Sequence, residues 1–379
     1  MTPDPQMVET VRRRLAATGE EATPATVAAA VAAGHGVVGA QQLLAVVDLL
    51  RAEALGAGPL EPLLRLEGVT DVLVNGPDEV YLDRGRGLER QRIGFPDDAA
   101  VRRLAQRLAA HAGRRLDEAS PWVDARLPDG TRVHAVLAPL ARPGTTISLR
   151  IPARRSFSLT DLVRTGAIDE EGAALLRALV AARAAFVVTG GTGSGKTTVL
   201  AALLGEVPAD ERLVVVEDAS ELRPDHPHVV GLEARPPNVE GAGAVSVRDL
   251  VRQALRMRPD RLVVGEVRGG EVVDLLAALN TGHEGGCGTV HANAPGVVPA
   301  RFEALGVAAG LARDAVHSQL AAGLDAVVHV GRAAGRRHIA EIAGVTRSPG
   351  GLVEVVTAWC ARRGCVSVGS DVLGQVLAR

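Results

Sequence analysis

The sequence predicts an α/β protein whose larger part is a mostly parallel sheet covered by helices on both faces, with a smaller α+β domain and a helical extension ahead of it. Three observations predict this. Short apolar runs at 185–189, 213–217, 262–265, 288–291 and 326–330 alternate with stretches of helical composition, and uninterrupted apolar runs are what a parallel strand buried on both faces requires. The stretch AFVVTGGTGSGKTTVL at 185–200 reads as strand, glycine turn and helix in direct succession. Between 56 and 151 the pattern changes to β-like runs at 71–75, 79–83, 92–95, 123–127, 132–137 and 145–151, split by turns such as Asn75-Gly76-Pro77 and joined by one amphipathic helix near 97–112.

In chain order, residues 1–55 are alanine-rich and read as two or three helices broken near 19–24 and 34–39. The α+β domain spans 56–151, a linker with Arg154 and Arg155 spans 152–160, and the larger domain spans 161–379. After His338 an antiparallel pair at 339–345 and 352–356 closes the sheet, and the last twenty residues carry no pattern. A chain of 379 residues with 47% hydrophobic side chains can build such cores. A net charge of −2 gives no overall pull towards nucleic acid or anionic lipid, so any such binding must be local. Cys287, Cys360 and Cys365 form no paired framework, which suits a reducing cytosol. No signal-like segment opens the chain and no apolar run reaches the ~18–20 residues needed to cross a bilayer, so a cytoplasmic protein is expected.

The chemistry centres on 190–198. Gly190, Gly191, Thr192, Gly193, Ser194, Gly195, Lys196 and Thr197, with Thr198 following, fit the loop in which backbone N–H groups wrap the phosphates of a nucleoside triphosphate. Lys196 would reach the β and γ phosphates, Thr197 would ligate magnesium, and the helix behind would aim its positive end at the anion. Lys196 is the only lysine in the chain; a planar guanidinium would replace its compact ammonium poorly.

Acids close two neighbouring apolar runs. One ends in Glu217 and Asp218 with Glu221 close behind, the other in Gly265 and Glu266, so a glutamate does the work an aspartate often does at the second. Between them SVRDLVRQALRMRP places Arg248, Arg252 and Arg256 at helical spacing, with Arg258 beyond. Such a stripe could bind DNA phosphate, pair with acids across a subunit contact, reach a neighbouring subunit's nucleotide, or simply face solvent. In NTGHEGGCGTVHAN, His283, Cys287 and His291 recur every fourth residue, yet the glycines oppose a helix and no fourth ligand is adjacent, so zinc is disfavoured. A histidine at a strand end beside the loop could instead hydrogen-bond the γ-phosphate.

The ordered segments GGTGSGKTT, VVVEDASEL, LEARPPNVEGAG, VRDLVRQALRMRPDRLVVGEVRGGE and TGHEGGCGTVHANAP resemble the type II/IV secretion ATPases, most of all the tight-adherence (Flp pilus) and conjugal-transfer-associated branch. The resemblance covers roughly 56–358. It implies a RecA-like ATPase domain hinged to an N-terminal domain, with 190–198 as Walker A, Glu217, Asp218 and Glu221 as an acidic box, Glu266 as the Walker B acid, and His283 and His291 in a histidine box. It also implies nucleotide-facing arginines in LPDGTRV and TTISLRIP, which are Arg132 and Arg150 here. Lys196, Glu217, Glu266, Arg132, Arg150 and His291 are then the catalytic set, with ATP and magnesium (on Thr197 and Glu266) as ligands. A homo-hexamer, peripheral at the inner face of the cytoplasmic membrane and working on an inner-membrane platform to assemble pili or export substrate, is the implied assembly. The chain departs from the family at Cys287 and Gly288, where an aliphatic residue and serine are usual, and it lacks the four-cysteine zinc module of many relatives.

Two rivals follow from the same residues. A DNA-pumping conjugation motor would use the arginine stripe, but four phenylalanines, two tryptophans and one tyrosine offer little to stack bases. A slow nucleotide-gated scaffold fits poorly with two acidic strand ends. A guanine-nucleotide switch is excluded because its Asn-Lys-x-Asp reader needs a second lysine.

Overall fold

The computed structural model describes residues 5–18, 24–35, 39, 41–44, 46, 57–85, 87–152, 156–237, 241–333, 335–361, 364–365 and 367–378. The chain divides into two compact units, Met1–Ala153 and Arg154–Arg379. In the first, helices α1 (Pro5–Thr18) and α2 (Pro24–His35) bury Met7, Val11 and Leu15 against Val27, Ala30 and Val31 in a cluster of their own. The same unit holds a six-stranded antiparallel sheet. Its strands are β1 (Asp71–Asn75), β2 (Val80–Asp83), β3 (Leu88–Arg90), β4 (Trp122–Arg126), β5 (Arg132–Val136) and β6 (Thr146–Arg150), in the order β3-β2-β1-β6-β5-β4.

Strict alternation decides which face of this sheet is dry. Val72, Val74, Val133, Ala135, Ile147 and Leu149 point to one face, where they share a core with Leu104 and Leu108 of α3 (Asp98–His111). Asp97 caps α3, its side chain accepting a hydrogen bond from the Ala100 N–H at 2.7 Å, which satisfies one otherwise unpaired donor of the first turn. The segment 92–95, expected as a strand, is irregular; the edge is formed by Leu88–Arg90, which is exposed at every position and so has no apolar pattern to betray it.

The second unit opens with α4 (Leu159–Arg164), which starts inside the segment read as a linker because Ser158 and Asp161 form a reciprocal capping box. There follow α5 (Glu170–Ala181), β7 (Phe186–Gly190), α6 (Lys196–Leu204), β8 (Leu213–Glu217), β9 (Val229–Glu233), α7 (Val247–Ala254), β10 (Arg261–Val267), α8 (Glu271–Leu279) and β11 (Cys287–Val290). Helices α9 (Val298–Ala308) and α10 (Arg313–Gly323) then lead to β12 (Ala326–Ala333), β13 (Arg336–Arg347), β14 (Val353–Cys360), β15 (Gly364–Cys365) and α11 (Ser367–Leu377). The sheet order is β15-β14-β13-β12-β7-β11-β10-β8-β9. From β12 to β9 the pairings are parallel, and from β12 to β15 antiparallel. The closing pair is longer than the sequence implied, and the last residues, which showed no pattern, supply β15 and α11.

All five residues of β7 and of β8 are buried, since helices lie on both faces. One face carries α4, α5, α6 and α11 around Leu176, Leu200, Leu204, Val263 and Trp359; the other carries α7 to α10 around Val251, Leu276, Phe302 and Leu320. Among the described residues no helix is long and apolar enough to cross a membrane.

Trp359 of β14 is 1% exposed and lies so close to α5 that a Cβ on Gly172 would stand 2.8 Å from its Cε2, while its buried Nε1 has no hydrogen-bond partner. Replacing it by alanine leaves a cavity and should cost ~3–5 kcal/mol. Trp359→Phe should cost clearly less, because it also removes the unpaired donor. Denaturant midpoints of the two variants against the parent check this ordering.

Candidate functional site

Parallel strands deliver their carboxyl ends to one edge of the sheet, where ligands of open α/β sheets bind. In the second unit, β7 pairs with β12 on one side and β11 on the other, with Val188 level with Thr289 and Val328. The chain leaves β7 at Gly190, turns through 191–195, and enters α6 at Lys196. Gly190 tolerates no side chain: its φ is +153° and a Cβ would stand 2.4 Å from the Val330 carbonyl oxygen and 2.6 Å from Ser194 Oγ. Thr197 and Thr198 follow in the first turn of α6, half-buried.

This loop fits a triphosphate. Lys196 Nζ donates to the carbonyl oxygens of Gly190 and Gly191, at 3.1 Å each, curling back over the loop. Burial lowers its pKa, against the pull of the Glu266 carboxylate, so the ammonium is short of negative partners. Ser194 is buried, with an Oγ that has no partner. A buried hydroxyl without a partner, a partly desolvated ammonium and the start of a helix with no side-chain cap thus lie within one run of chain, 194–196, which is the donor set an anion needs. Thr197 and Glu266 are the oxygen donors there that could hold magnesium.

The acids come from the two strands beyond β11. Glu217 ends β8, is 6% exposed, and its Oε1 accepts from the N–H groups of Glu221 at 2.9 Å and Leu222 at 3.0 Å. Burial pushes its carboxyl up to about 7, outweighing those two hydrogen bonds. On the neighbouring strand Val264 lies level with Val216, which places Gly265 beside Glu217. A Cβ on Gly265 would stand 2.5 Å from Glu217 Cγ. The glycine in place of an aspartate therefore makes the room in which Glu217 lies. Thr289 Oγ1 donates to the Gly265 carbonyl at 2.6 Å, tying β10 to β11 at this level.

Glu266 lies within β10, part-exposed, and Arg268 connects it to the other acid: its guanidinium pairs with Asp218 and stands 3.8 Å from Glu266 Oε2. Buried Glu271 holds the turn beneath, accepting from the N–H groups of Arg268 at 2.6 Å and Gly269 at 2.7 Å. The sequence reading gave Arg268 no role, although its place two residues after Glu266 was visible. Arg332 was also missed: its Nη2 donates to the Gly193 carbonyl at 3.3 Å. Only pairing of β12 with β7, over a hundred residues apart in the chain, reveals that contact.

Other expected residues fall elsewhere. His291 follows β11 at its carboxyl end and is exposed on the loop's edge of the sheet, whereas His283 precedes β11 and lies at the opposite edge. Cys287 between them is buried and pushed up to about 12 by burial. His283 and His291 flank β11 at opposite ends, and the described residues contain no group of three or more His, Cys, Asp or Glu side chains placed to share a metal ion. The arginine stripe is shorter than its spacing implied, because α7 ends at Ala254, before Arg256, and Arg258 has φ +54°. Arg248 and Arg252 both donate to Asp274 of α8, at 2.7 and 2.8 Å, so these two share one carboxylate of their own domain, while Arg256 and Arg258 are exposed beyond the helix.

Arg132 and Arg150 belong to the first unit. They pair across β5 and β6, with Asp71 opposite Arg150 on β1, on the face of the sheet turned away from α3. With Asp124, His134 and Ser148 they line a shallow cavity of about 290 Å³.

A RecA-like α/β unit with a phosphate-type loop at the carboxyl edge of its sheet defines the class of protein. The type II/IV secretion system protein model matches residues 53–366, and the chain belongs to that family. It is 60% identical over 335 residues to a putative conjugal transfer protein of Mycobacterium tuberculosis, covering 86% of this chain and 95% of that one. It is 38% identical over 258 residues to a type IV secretion system protein PtlH homologue of Bordetella bronchiseptica, covering 62% and 75%. The fold is shared with the Legionella pneumophila ATPase DotB (TM-score 0.52, 17% identity, 82% of each chain). It is shared also with the pilus retraction motor PilT (TM-score 0.53, 19% identity, 82% of this chain and 84% of that).

The carboxyl of Glu217 ionises near 4.5 when unfolded and near 7 when folded. The folded state thus holds the proton more tightly, and this contribution to stability is complete below 4.5 and is lost as pH rises to 7. Glu217→Gln keeps the oxygen that accepts from Glu221 and Leu222 but cannot ionise. Denaturation of both proteins at pH 5 and pH 8 should show the parent losing stability relative to the variant as pH rises.

Proposed function

We propose that this chain is a magnesium-dependent ATPase that works as a ring-shaped motor at the inner face of the cytoplasmic membrane, driving pilus assembly or protein export through a membrane platform. The observation that supports the reading is that the glycine loop with Lys196, the Glu266 carboxylate that acts on it and buried Glu217 all belong to the carboxyl-end side of one parallel sheet. Residues 190–198 hold the triphosphate, Lys196 on its β and γ phosphates. Thr197 and Glu266 would hold magnesium, which when bound would neutralise phosphate charge. Glu217, with a carboxyl poised near neutral pH, takes the proton of the attacking water. His291, on the same edge, contacts the γ-phosphate end. Arg132 and Arg150 neutralise charge developing on the phosphoryl group when the first unit meets the nucleotide of the assembled ring. The type IV secretion relative supports a protein-handling motor, and the homo-hexamer is what the family resemblance implies.

The putative conjugal transfer relative favours a second reading, a DNA-moving motor. Arg248 and Arg252 are held by Asp274 in their own domain, which weighs against their use on DNA. Hydrolysis stimulated by DNA with a steep salt dependence would select it.

Steady-state hydrolysis and nucleotide binding test the main reading. Lys196→Ala should abolish both. Glu217→Gln should retain binding while turnover falls ~10²–10⁴-fold, and Arg132→Ala or Arg150→Ala should lower turnover ~10³-fold or more in the assembled ring. Full activity of Lys196→Ala would refute the assignment.

A further inference from the structure

The hairpin of β12 and β13 carries the basic run Arg332, Arg336, Arg337 and His338, which the motifs do not account for. Its register sorts these side chains. Arg332 lies directly opposite Arg337, and Ala333 opposite Arg336. Directly opposed residues share a face and consecutive ones alternate, so Arg332 and Arg337 stand together on one face and Arg336 on the other. The contacts agree. Arg336 Nη2 reaches away to the Thr165 carbonyl at 3.4 Å, whereas Arg332 Nη2 donates to the Gly193 carbonyl and a Cβ on Gly195 would stand 3.4 Å from Arg337 Cδ. Both guanidinium-bearing chains therefore border the loop, one at Gly193 and one at Gly195.

Two like charges directly opposed in a β-ladder repel each other, and Arg332 has no carboxylate partner among the described residues. Beside a glycine loop that already holds an ammonium, Arg332 in this position favours an anion, and Arg337 borders the same loop at Gly195. We propose that Arg332 and Arg337 form a same-subunit clamp on the phosphate chain of the nucleotide held by 190–198, separate from the arginines of the first unit. This rests on the reading of that loop as the triphosphate site. Arg332 exchanges its bond to the Gly193 carbonyl for a phosphate oxygen, and Arg337 closes from the neighbouring strand. Because the hairpin continues the strand that pairs with β7, the clamp also couples the phosphate chain to the antiparallel half of the sheet.

Calorimetric titration of the full chain with ATP and with inorganic tripolyphosphate, in magnesium, tests the clamp. A charge-assisted hydrogen bond is worth a factor of ~10 or more, so Arg332→Gln and Arg337→Gln should each weaken both ligands about tenfold and the double variant about a hundredfold. The salt dependence of binding should become shallower, and Arg336→Gln, on the opposite face, should bind as the parent does. If the double variant binds both ligands within twofold of the parent while Lys196→Ala binds neither, the clamp is wrong and the loop assignment stands. If Lys196→Ala binds normally, the loop assignment itself fails. Loss of affinity for ATP but not for tripolyphosphate would move the contact to sugar or base and overturn the clamp, as would an equal loss in Arg336→Gln.

Discussion

Hydrogen bonding of β7 to a parallel strand on each side is the constraint from which the site follows. Parallel pairing fixes direction, so the turns after β7, β8, β10, β11 and β12 all emerge at one edge, and the register decides how far each projects. Gly190 stands level with Val330 and Glu217 beside Gly265 for that reason alone. Both crossings are so close that a methyl group would collide with the neighbouring strand's carbonyl or side chain. The site is assembled by backbone geometry first; side chains occupy what room the glycines leave.

Burial then sets the chemistry. Glu217 is largely withdrawn from water and is reached by two backbone donors, and the desolvation wins, leaving a carboxyl that changes state near neutrality. Glu266, a strand away and more exposed, has Arg268 for company. Two acids of the same type thus receive different environments, which is how a site can use one to accept a proton and another to meet a cation. Arg268 also lets Asp218 and Glu266 stand close without mutual repulsion.

Much of this was legible in the sequence because interior strands advertise themselves. FVV, LVVV and LVV are runs that only a doubly covered strand needs, and the glycine loop between strand and helix has few other meanings. Edge strands send no such signal: Leu88–Arg90 is wholly exposed, and Val229–Glu233 alternates between exposed and half-buried positions. Arg268 and Arg332 escaped notice for a different reason, since their partners Asp218 and Gly193 are remote in the chain and no local pattern records a tertiary contact. The arginine stripe was legible only in part, because helical spacing says which residues share a face, and nothing about the carboxylate of Asp274 on the next helix.

The chain has two tryptophans, and the fold gives one to each unit: Trp122, 60% exposed on β4, and Trp359, 1% exposed on β14. An indole in water emits at longer wavelength than one enclosed by leucine and valine. The protein therefore carries a built-in pair of optical reporters, one for each half, and the blue-shifted component of its emission reads the state of the nucleotide-binding half without any added label.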